Sequence, residues 1–208
     1  MSKLIDLSHK IDNDTPVHNF DNKIRLFLDR NLAEHKYNNS RIEIGMHAGT
    51  HIDIPSHLLD NNISIDEIDI TSFIGSGKLI NVRGKDVIKK SHVDDNILSE
   101  NDIAIFFTGH SDNYYNDKYY NDHPVFDSDL IDYLIDLRIK ILGMDLPSPD
   151  RFPFELHKRL LKNDILILEN LTNLDKLLTI NSFEIIAFPL KIRAEGSLVR
   201  AVARIIEV

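Results

Sequence analysis

Four side chains that can bind a metal ion or carry a proton lie within one eleven-residue segment, HAGTHIDIPSH. They are His47, His51, Asp53 and His57. The first two are four residues apart, which is the spacing of a zinc-binding helix. Gly49 and Pro55 nevertheless disfavour a helix at this point. We therefore expect a tight turn at Ala48-Gly49, followed by an extended stretch.

An extended stretch would bring the candidate ligands together. His51 and Asp53 would point to one face, while the intervening isoleucines point into the core. The turn would place His47 beside them, and two imidazoles with a carboxylate and an open position for water are typical of a catalytic metal site. A single histidine is more often solvated or packed, but this pattern favours ligation. His57 is either a further ligand or an imidazole whose ordinary pKa of ~6.5 suits proton transfer.

A second, weaker pair of candidates lies later in the chain. His157 falls in a predicted helix from Phe154 to Leu161, and Glu169 ends a predicted apolar strand that begins at Ile165. Proteins of the α/β class usually place functional groups at the ends of buried strands. Taken alone, Glu169 is equally well an ordinary surface charge.

The elements that must position these residues are mostly short strands. Apolar and polar residues alternate over 23–29 and 40–45, which predicts two half-buried strands. Further predicted strands cover 4–7, 78–82, 103–108, 140–144, 183–192 and 198–208, and a second helix covers 127–137. Helices alternate with strands only in the second half, so we predict an α/β fold with a mixed sheet. The tyrosine-rich segment, residues 112–123, is predicted to be a long surface loop.

Composition limits the classes of protein and of site. The 208 residues suit one domain, spanning residues 1–208. The absence of cysteine excludes disulfides, thiolate metal sites and a cysteine nucleophile. A net charge of −9 with scattered basic residues argues against nucleic acid. No apolar stretch approaches the ~20 residues of a membrane span, and the N-terminus lacks a secretory signal, so we expect a cytoplasmic protein.

Several ordered motifs resemble those of one known family. HAGTHIDIPSH resembles the HxGTHxDxPxH signature of the putative cyclase family, which includes bacterial kynurenine formamidases and isatin hydrolases. Similar matches follow the chain from Asp6 to Ala203, in the segments DLSHKI, GMDLPSPD (Gly143 to Asp150), HKRLLKNDILILENLTNL and FPLKIRAEGSLVRAVA. The resemblance implies a swivelling β/β/α, cyclase-like domain. It also implies a homodimer or a larger homo-oligomer.

The same resemblance implies a site for two metal ions per subunit. His47, His51 and Asp53 would bind the first ion. The second would be bound by His157, Glu169 and a bridging Asp53. Zinc is the expected metal and manganese the alternative, because every ligand is an imidazole or a carboxylate.

The reaction implied by the resemblance is hydrolysis of an aryl formamide, N-formylkynurenine, to kynurenine and formate. A metal-bound hydroxide would attack the formyl carbon, and His57 would pass the proton to the departing aniline nitrogen. A cyclic amide such as isatin is the alternative substrate. A metal-holding binding protein without turnover is the alternative class, although the complete ligand set favours an enzyme.

Departures from the family pattern concern the substrate pocket. Thr15-Pro16 leads to VHNFD in place of the family's proline-glycine-aspartate run, and Leu198 replaces a proline. Because tryptophan is absent, we predict a pocket walled by other aromatic residues. The candidates are Phe20, His18 and the tyrosines of the tyrosine-rich segment (Tyr114, Tyr115, Tyr119 and Tyr120). Arg200 is expected to form a structural ion pair, and 143–150 to shape a turn under the site.

Overall fold

The computed structural model describes residues 3–116 and 118–206. Its strands are β1 (Leu4–Asp6), β2 (Arg25–Arg30), β3 (Asn39–Glu43), β4 (His51–Asp53), β5 (Ile74–Asn81), β6 (Val87–Ile88), β7 (Ile103–Phe107), β8 (Val125–Phe126), β9 (Ile141–Met144), β10 (Leu166–Glu169), β11 (Phe183–Ile186), β12 (Gly196–Leu198) and β13 (Val202–Ile205). Its α-helices are α1 (Leu32–His35), α2 (Ser128–Leu137) and α3 (Glu155–Lys162).

A curled, mixed sheet organises the fold. Its nine strands run in the order β1-β13-β11-β5-β7-β9-β10-β4-β12. The central strands β5, β7, β9 and β10 are parallel, and the strands towards both edges pair antiparallel. Side chains from both ends of the sheet, such as Ile5, Ile52 and Ala203, share one buried cluster, so the sheet curls around it. The predicted α/β class with a mixed sheet is confirmed.

Two apolar cores lie on opposite faces of the sheet. Along β7, Ile103, Ile105 and Phe107 belong to one core, and Ala104 and Phe106 belong to the other. This alternation follows from the two-residue period of a strand. Burial on both faces explains why β7 has a continuous apolar sequence.

Helices α2 and α3 cover the second face. Leu130, Ile131 and Leu134 of α2 are buried, and so are Leu160 and Leu161 of α3. In α2, Leu134 follows Ile131 and Leu130 by three and four residues, which forms one apolar side; in α3, Leu160 and Leu161 follow the buried His157 by three and four residues. The Asp127 carboxylate accepts a hydrogen bond from the Leu130 amide and caps α2. No helix in the described part of the chain has the length and hydropathy of a membrane span.

The ribbon formed by β2 and β3 differs from its prediction. These strands pair with each other and form a separate two-stranded sheet. Phe27, Leu28 and Ile42 are exposed, and every residue of β3 is exposed. The prediction of half-buried strands is therefore wrong in its burial. The alternation is present, but neither face of the ribbon covers a core within the described chain.

The tyrosine-rich segment (112–123) also differs from its prediction as a surface loop. Tyr114 and Tyr119 are among the largest fully buried side chains. Tyr114 stacks on His9 with ring centroids 3.6 Å apart, and Tyr119 packs edge-to-face against Tyr114. The polar residues between the tyrosines suggested a solvated loop, but the rings fold inward. Tyr114 and Tyr119 are therefore core residues and do not form an open wall for a substrate.

Candidate metal centre

The segment between β3 and β4 forms the predicted turn. Gly49 adopts a φ of +65°, and a Cβ there would collide with Ile11. The positive φ therefore favours glycine, and a side chain at this position would displace the end of the Ile11 side chain. After the turn, Ile52 and Ile54 are fully buried in the core. This arrangement confirms the predicted turn and extended stretch, which together fix where the flanking histidines lie.

Strand register brings Glu169 to the histidine segment. Strands β4 and β10 are antiparallel, with His51 opposite Glu169 and Asp53 opposite Ile167. Residues opposite each other project to the same face, so these polar side chains lie on the face that α3 covers. The His51 Nε2 atom lies 3.3 Å from Asp53 Oδ1 and 3.4 Å from Glu169 Oε2.

Helix α3 places His157 above this pair of carboxylates. His157 is buried together with Leu160 and Leu161, which share its side of the helix. Its Nε2 lies 3.1 Å from Asp53 Oδ2, and its Nδ1 lies 4.0 Å from a Glu169 oxygen. The Ser148 hydroxyl is 3.3 Å from the same Nδ1. One helix and two strands therefore converge on the Asp53 carboxylate.

His47 and His57 complete the group on its more exposed side. The His47 Nδ1 lies 2.6 Å from Asp53 Oδ1, and its Nε2 lies 3.3 Å from Glu195 Oε1. A short 3₁₀ helix, Pro55–His57, stacks His57 on His47 with ring centroids 3.9 Å apart. Gly196 lies against His47, because a Cβ on it would be 2.8 Å from the His47 ring.

The charges in this group shift one another's pKa values. Burial opposes the charge of Asp53, yet His47 and His51 hold its pKa well below the ordinary value. Burial and the Asp53 charge together raise the pKa of Glu169. Burial alone would lower the pKa of His51, but Asp53 and Glu169 raise it to about 10. In the absence of a metal, protonated imidazole therefore balances the two buried carboxylates.

His57 responds in the opposite way to His51 and His157. Burial lowers the pKa of His57 to about 4; the attraction of Asp53 only partly offsets burial, and the neighbouring histidines add to the lowering. For His157, burial acts against the charged form, but its contact with Asp53 raises the pKa. His57 is therefore a neutral imidazole at neutral pH. Its free ring nitrogen is open to a proton, although the lowered pKa makes it a weaker base than an exposed histidine.

The donor set fits a divalent metal ion. The Oε1 atom of Glu169 is buried and has no hydrogen-bond partner among the described residues. Within the same part of the chain, two groups have ligand atoms within 4.8 Å of one another: His47, Asp53 and His57, and His51, Asp53 and Glu169. Buried carboxylates of like charge need a cation close by. The structure thus brings all five predicted ligands together, while metal binding by them remains a prediction.

The two predicted pocket residues, Phe20 and His18, contact each other. Phe20 is 93% exposed and contacts His18, with ring centroids 5.4 Å apart. His18 in turn packs edge-on against Tyr120 at 5.8 Å. Burial raises the pKa of Tyr120, and the Glu169 charge adds to this. The three rings form a row from Tyr120 through His18 to Phe20, and we call it the aromatic row.

Sequence reasoning missed several residues that touch the candidate ligands. They are Ser148 beside His157, Glu195 beside His47, and Asn170 beside His51. All three lie within segments that resemble the family motifs, and that resemblance could have identified them. The expected ion pair is confirmed: Arg200 donates to both Asp6 oxygens, at 2.8 and 2.6 Å.

The 143–150 segment shapes a turn, as predicted. The fully buried Asp145 carboxylate accepts hydrogen bonds from the Thr108 amide and hydroxyl and from the Gly109 amide. These bonds tie the end of β7 to the end of β9. Ser148 gives the same segment its contact with His157. The segment therefore positions a candidate ligand without itself providing one.

Comparisons with known proteins find chains of similar sequence and similar fold. The kynurenine formamidase of Bacillus cereus (strain ATCC 10987 / NRS 248) is 29% identical over 208 residues, covering 98% of each chain. Isatin hydrolase A from Labrenzia aggregata, solved with benzyl benzoate, superposes with a TM-score of 0.88 at 24% identity, covering 99% of this chain and 94% of that one.

A predicted metal-dependent hydrolase from Bacillus stearothermophilus has a TM-score of 0.79 at 24% identity and 98% coverage of both chains. These two structural likenesses establish the cyclase-like fold. The family model described as putative cyclase matches residues 5–151, which carry the histidine segment and most of the sheet. The chain therefore belongs to the putative cyclase family.

Proposed function

We propose that this protein is a metal-dependent amide hydrolase, an arylformamidase that converts N-formylkynurenine to kynurenine and formate. The observation that carries the proposal is the meeting of three imidazoles on the Asp53 carboxylate, with Glu169 closing the group. A neutral histidine, His57, lies beside it. This combination provides both ligands and a proton carrier. It supports an enzyme over a binding protein.

The proposed ligands are His47, His51, Asp53, His157 and Glu169, and we propose two zinc ions per chain, with manganese as the alternative. Asp53 suits a bridging role, because its Oδ1 faces His47 and His51 and its Oδ2 faces His157. When bound, the metal would supply Lewis acidity towards the carbonyl and lower the pKa of a water molecule. All five donors are nitrogen or oxygen atoms, which suit zinc and manganese.

His57 is the proposed proton carrier. It stacks on His47 and is 5.7 Å from the His157 ring, so its imidazole lies at the edge of the ligand group. As a neutral base it takes a proton from water and returns it to the departing nitrogen. The return step is needed because an anilide anion is a poor leaving group. The half-buried position lets the ring face both the ligands and the entering substrate.

The names of the sequence relatives favour an aryl formamide over a cyclic amide. The relatives that match over the full length are named kynurenine formamidases, whereas the isatin hydrolases match by fold at lower identity. The aromatic row (His18, Phe20 and Tyr120) offers ring surfaces to the aryl group of either substrate. We propose that the aniline ring of the substrate packs against this row.

A substrate panel tests the proposal. The zinc- or manganese-loaded chain should hydrolyse N-formylkynurenine with a higher kcat/KM than isatin or an aliphatic formamide. The chelated chain should be inactive on all three and regain activity on adding metal back. A preference for isatin would make the protein a cyclic-amide hydrolase. Metal binding without turnover of any member of the panel would support a binding protein.

We further propose that the chain forms a homodimer or a larger homo-oligomer. The ribbon of β2 and β3 supports this proposal, because Phe27, Leu28 and Ile42 are exposed on it. An isolated two-stranded ribbon is only marginally stable in water, so a second copy that covered it would stabilise it. Light scattering on the parent and on Leu28→Glu tests this. A monomeric parent would contradict the proposal.

A further inference from the structure

Tyr119 connects the tyrosine-rich segment to the candidate metal centre through one hydrogen bond. Its side chain is fully buried, and its hydroxyl donates to Asn170 Oδ1 at 2.8 Å. The Asp145 carbonyl is a more distant acceptor, at 3.4 Å. The single hydroxyl proton is therefore directed to Asn170. That residue follows Glu169 directly in the sequence.

Asn170 has one favourable amide orientation. With Oδ1 on the Tyr119 hydroxyl, Nδ2 donates to the Gly49 carbonyl at 2.9 Å. A flipped amide would place Oδ1 against that carbonyl, so that two acceptors would face each other without a proton. The Asn170 backbone is also fixed, because the Thr50 hydroxyl donates to its carbonyl at 2.6 Å. The Gly49 carbonyl thus selects the orientation of the Asn170 amide, and the Tyr119 hydroxyl holds the amide there by donating to its Oδ1.

The Gly49 carbonyl connects the Asn170 amide to the His51 ring. It lies 2.9 Å from His51 Nδ1, so it accepts hydrogen bonds from both Asn170 Nδ2 and the imidazole. A carbonyl has two lone pairs and can accept both. The contact requires a proton on Nδ1. It therefore leaves Nε2 to face Asp53 and Glu169, at 3.3 and 3.4 Å.

We propose that Tyr119 and Asn170 are positioning residues that fix the tautomer and ring orientation of His51 as a metal ligand. The inference rests on the proposed metal centre but not on the identity of the substrate. Metal-binding histidines usually donate their second ring N–H to a carbonyl or carboxylate, and loss of such outer partners typically weakens metal affinity 10–100-fold. Tyr119 would then support the metal centre from the core, without contacting the substrate.

A pair of hydroxyl deletions in the full chain tests the proposal. Tyr119→Phe removes only the hydroxyl that holds the Asn170 amide. Tyr114→Phe is the matched control, because its hydroxyl is also buried in the same segment but has no hydrogen-bond partner among the described residues. Asn170→Gly removes the amide itself. Glycine keeps the left-handed backbone that Asn170 adopts, with a φ of +56°.

Two quantities are measured on each protein: the zinc dissociation constant by chelator competition, and solvent exchange of the His51 Nδ1–H in zinc-loaded, ¹⁵N-labelled protein. We expect Tyr119→Phe to bind zinc about tenfold more weakly than the parent, and Asn170→Gly to bind it at least as weakly as Tyr119→Phe. A loss of this size is typical when a residue that supports a metal ligand is removed. In both variants the Nδ1–H should exchange faster. Tyr114→Phe should match the parent in both quantities.

If Tyr119→Phe and Tyr114→Phe both kept the zinc affinity and the Nδ1–H exchange rate of the parent, the proposal would be overturned. Equal losses in the two would also overturn it, because they would report packing and not the hydrogen bond. A parent chain that binds no zinc would overturn both this inference and the metal centre. A parent that binds zinc but hydrolyses no formamide would overturn the proposed substrate alone and leave this inference standing.

Discussion

Glu169 lies directly opposite His51 across the antiparallel strands β10 and β4, and the Oε2 and Nε2 atoms of the two residues are 3.4 Å apart. On the other edge of β4, β12 places Gly196 opposite Asp53, which brings the neighbouring Glu195 to His47. The candidate centre is therefore built by the register of three strands, and α3 adds His157. Substitutions within this group should separate metal binding from proton transfer.

His57→Ala should keep its metal but lose activity, because we assign His57 to proton transfer. The expected loss in kcat is about 10²–10⁴-fold, the usual range for general acid–base catalysis. His51→Ala should lose metal as well as activity, because a ligand nitrogen is removed. Metal content measured beside turnover distinguishes the two variants. A metal-poor His57→Ala would make His57 a ligand, a role compatible with its place near His47 and Asp53.

Phe20→Ala should raise KM for an aryl formamide more than it lowers kcat. Phe20 is exposed at the end of the aromatic row, so its ring would contact the bound substrate equally in the ground and transition states. Steady-state kinetics with N-formylkynurenine and with an aliphatic formamide provide the measurement and its control. The aliphatic KM should change little. Identical kinetics of variant and parent with the aryl substrate would remove Phe20 from the pocket.

Glu195→Gln should weaken metal binding without unfolding the protein. The Glu195 carboxylate lies 3.3 Å from His47 Nε2 and can hold the proton on that nitrogen, which leaves Nδ1 to face Asp53. Loss of such an outer partner typically lowers metal affinity 10–100-fold. Because Glu195 is exposed, we expect a loss near the lower end of this range. Glu100→Gln, at a surface ion pair with Arg138, is the control. Unchanged zinc affinity in Glu195→Gln would exclude this role.

The stability of the metal-free protein should fall as the pH rises above neutrality. The pKa of His51 is raised from 6.5 to about 10 in the folded state by the buried carboxylates. Because the folded state binds this proton more tightly than the unfolded state, its contribution is fully present below pH 6.5. It is lost as the pH rises through about 10.

Urea unfolding of the chelated protein, at several pH values from about 7 to about 9, measures this loss as a falling midpoint. The profile of chelated His51→Ala should be flatter, because the titrating group is gone. A parent midpoint that stays constant or rises over this range would contradict the assigned charges. Saturation with zinc should reduce the fall, since metal binding displaces the proton from His51.

Local sequence patterns predicted the parts of the site whose conformation is set by residues close to them in the chain. Gly49 and the alternation of His51, Ile52 and Asp53 specify the turn and strand, and the structure has both. The apolar spacing of α3 likewise places His157 on its buried side. Glu169 was ambiguous from the residues alone, because its partner His51 is set by a strand pairing that no local pattern encodes.

The errors have a common physical cause. Alternation in β2 and β3 shows that each strand has two kinds of face, but it does not show whether another element covers either face. In the tyrosine-rich segment, the polar residues dominate the composition although Tyr114 and Tyr119 are buried. Ser148, Asn170 and Glu195 were missed for the same reason. Their contacts with the candidate ligands depend on tertiary structure.

The most direct test of the proposed function is one titration of the metal-free chain with zinc, in which bound metal and formate release from N-formylkynurenine are measured in the same samples. We expect activity to appear with bound zinc, to reach its plateau at about two equivalents per chain, and to disappear on chelation, as for two-metal hydrolases. Hydrolysis that persists in excess chelator, or full occupancy without formate release, would contradict the proposed function.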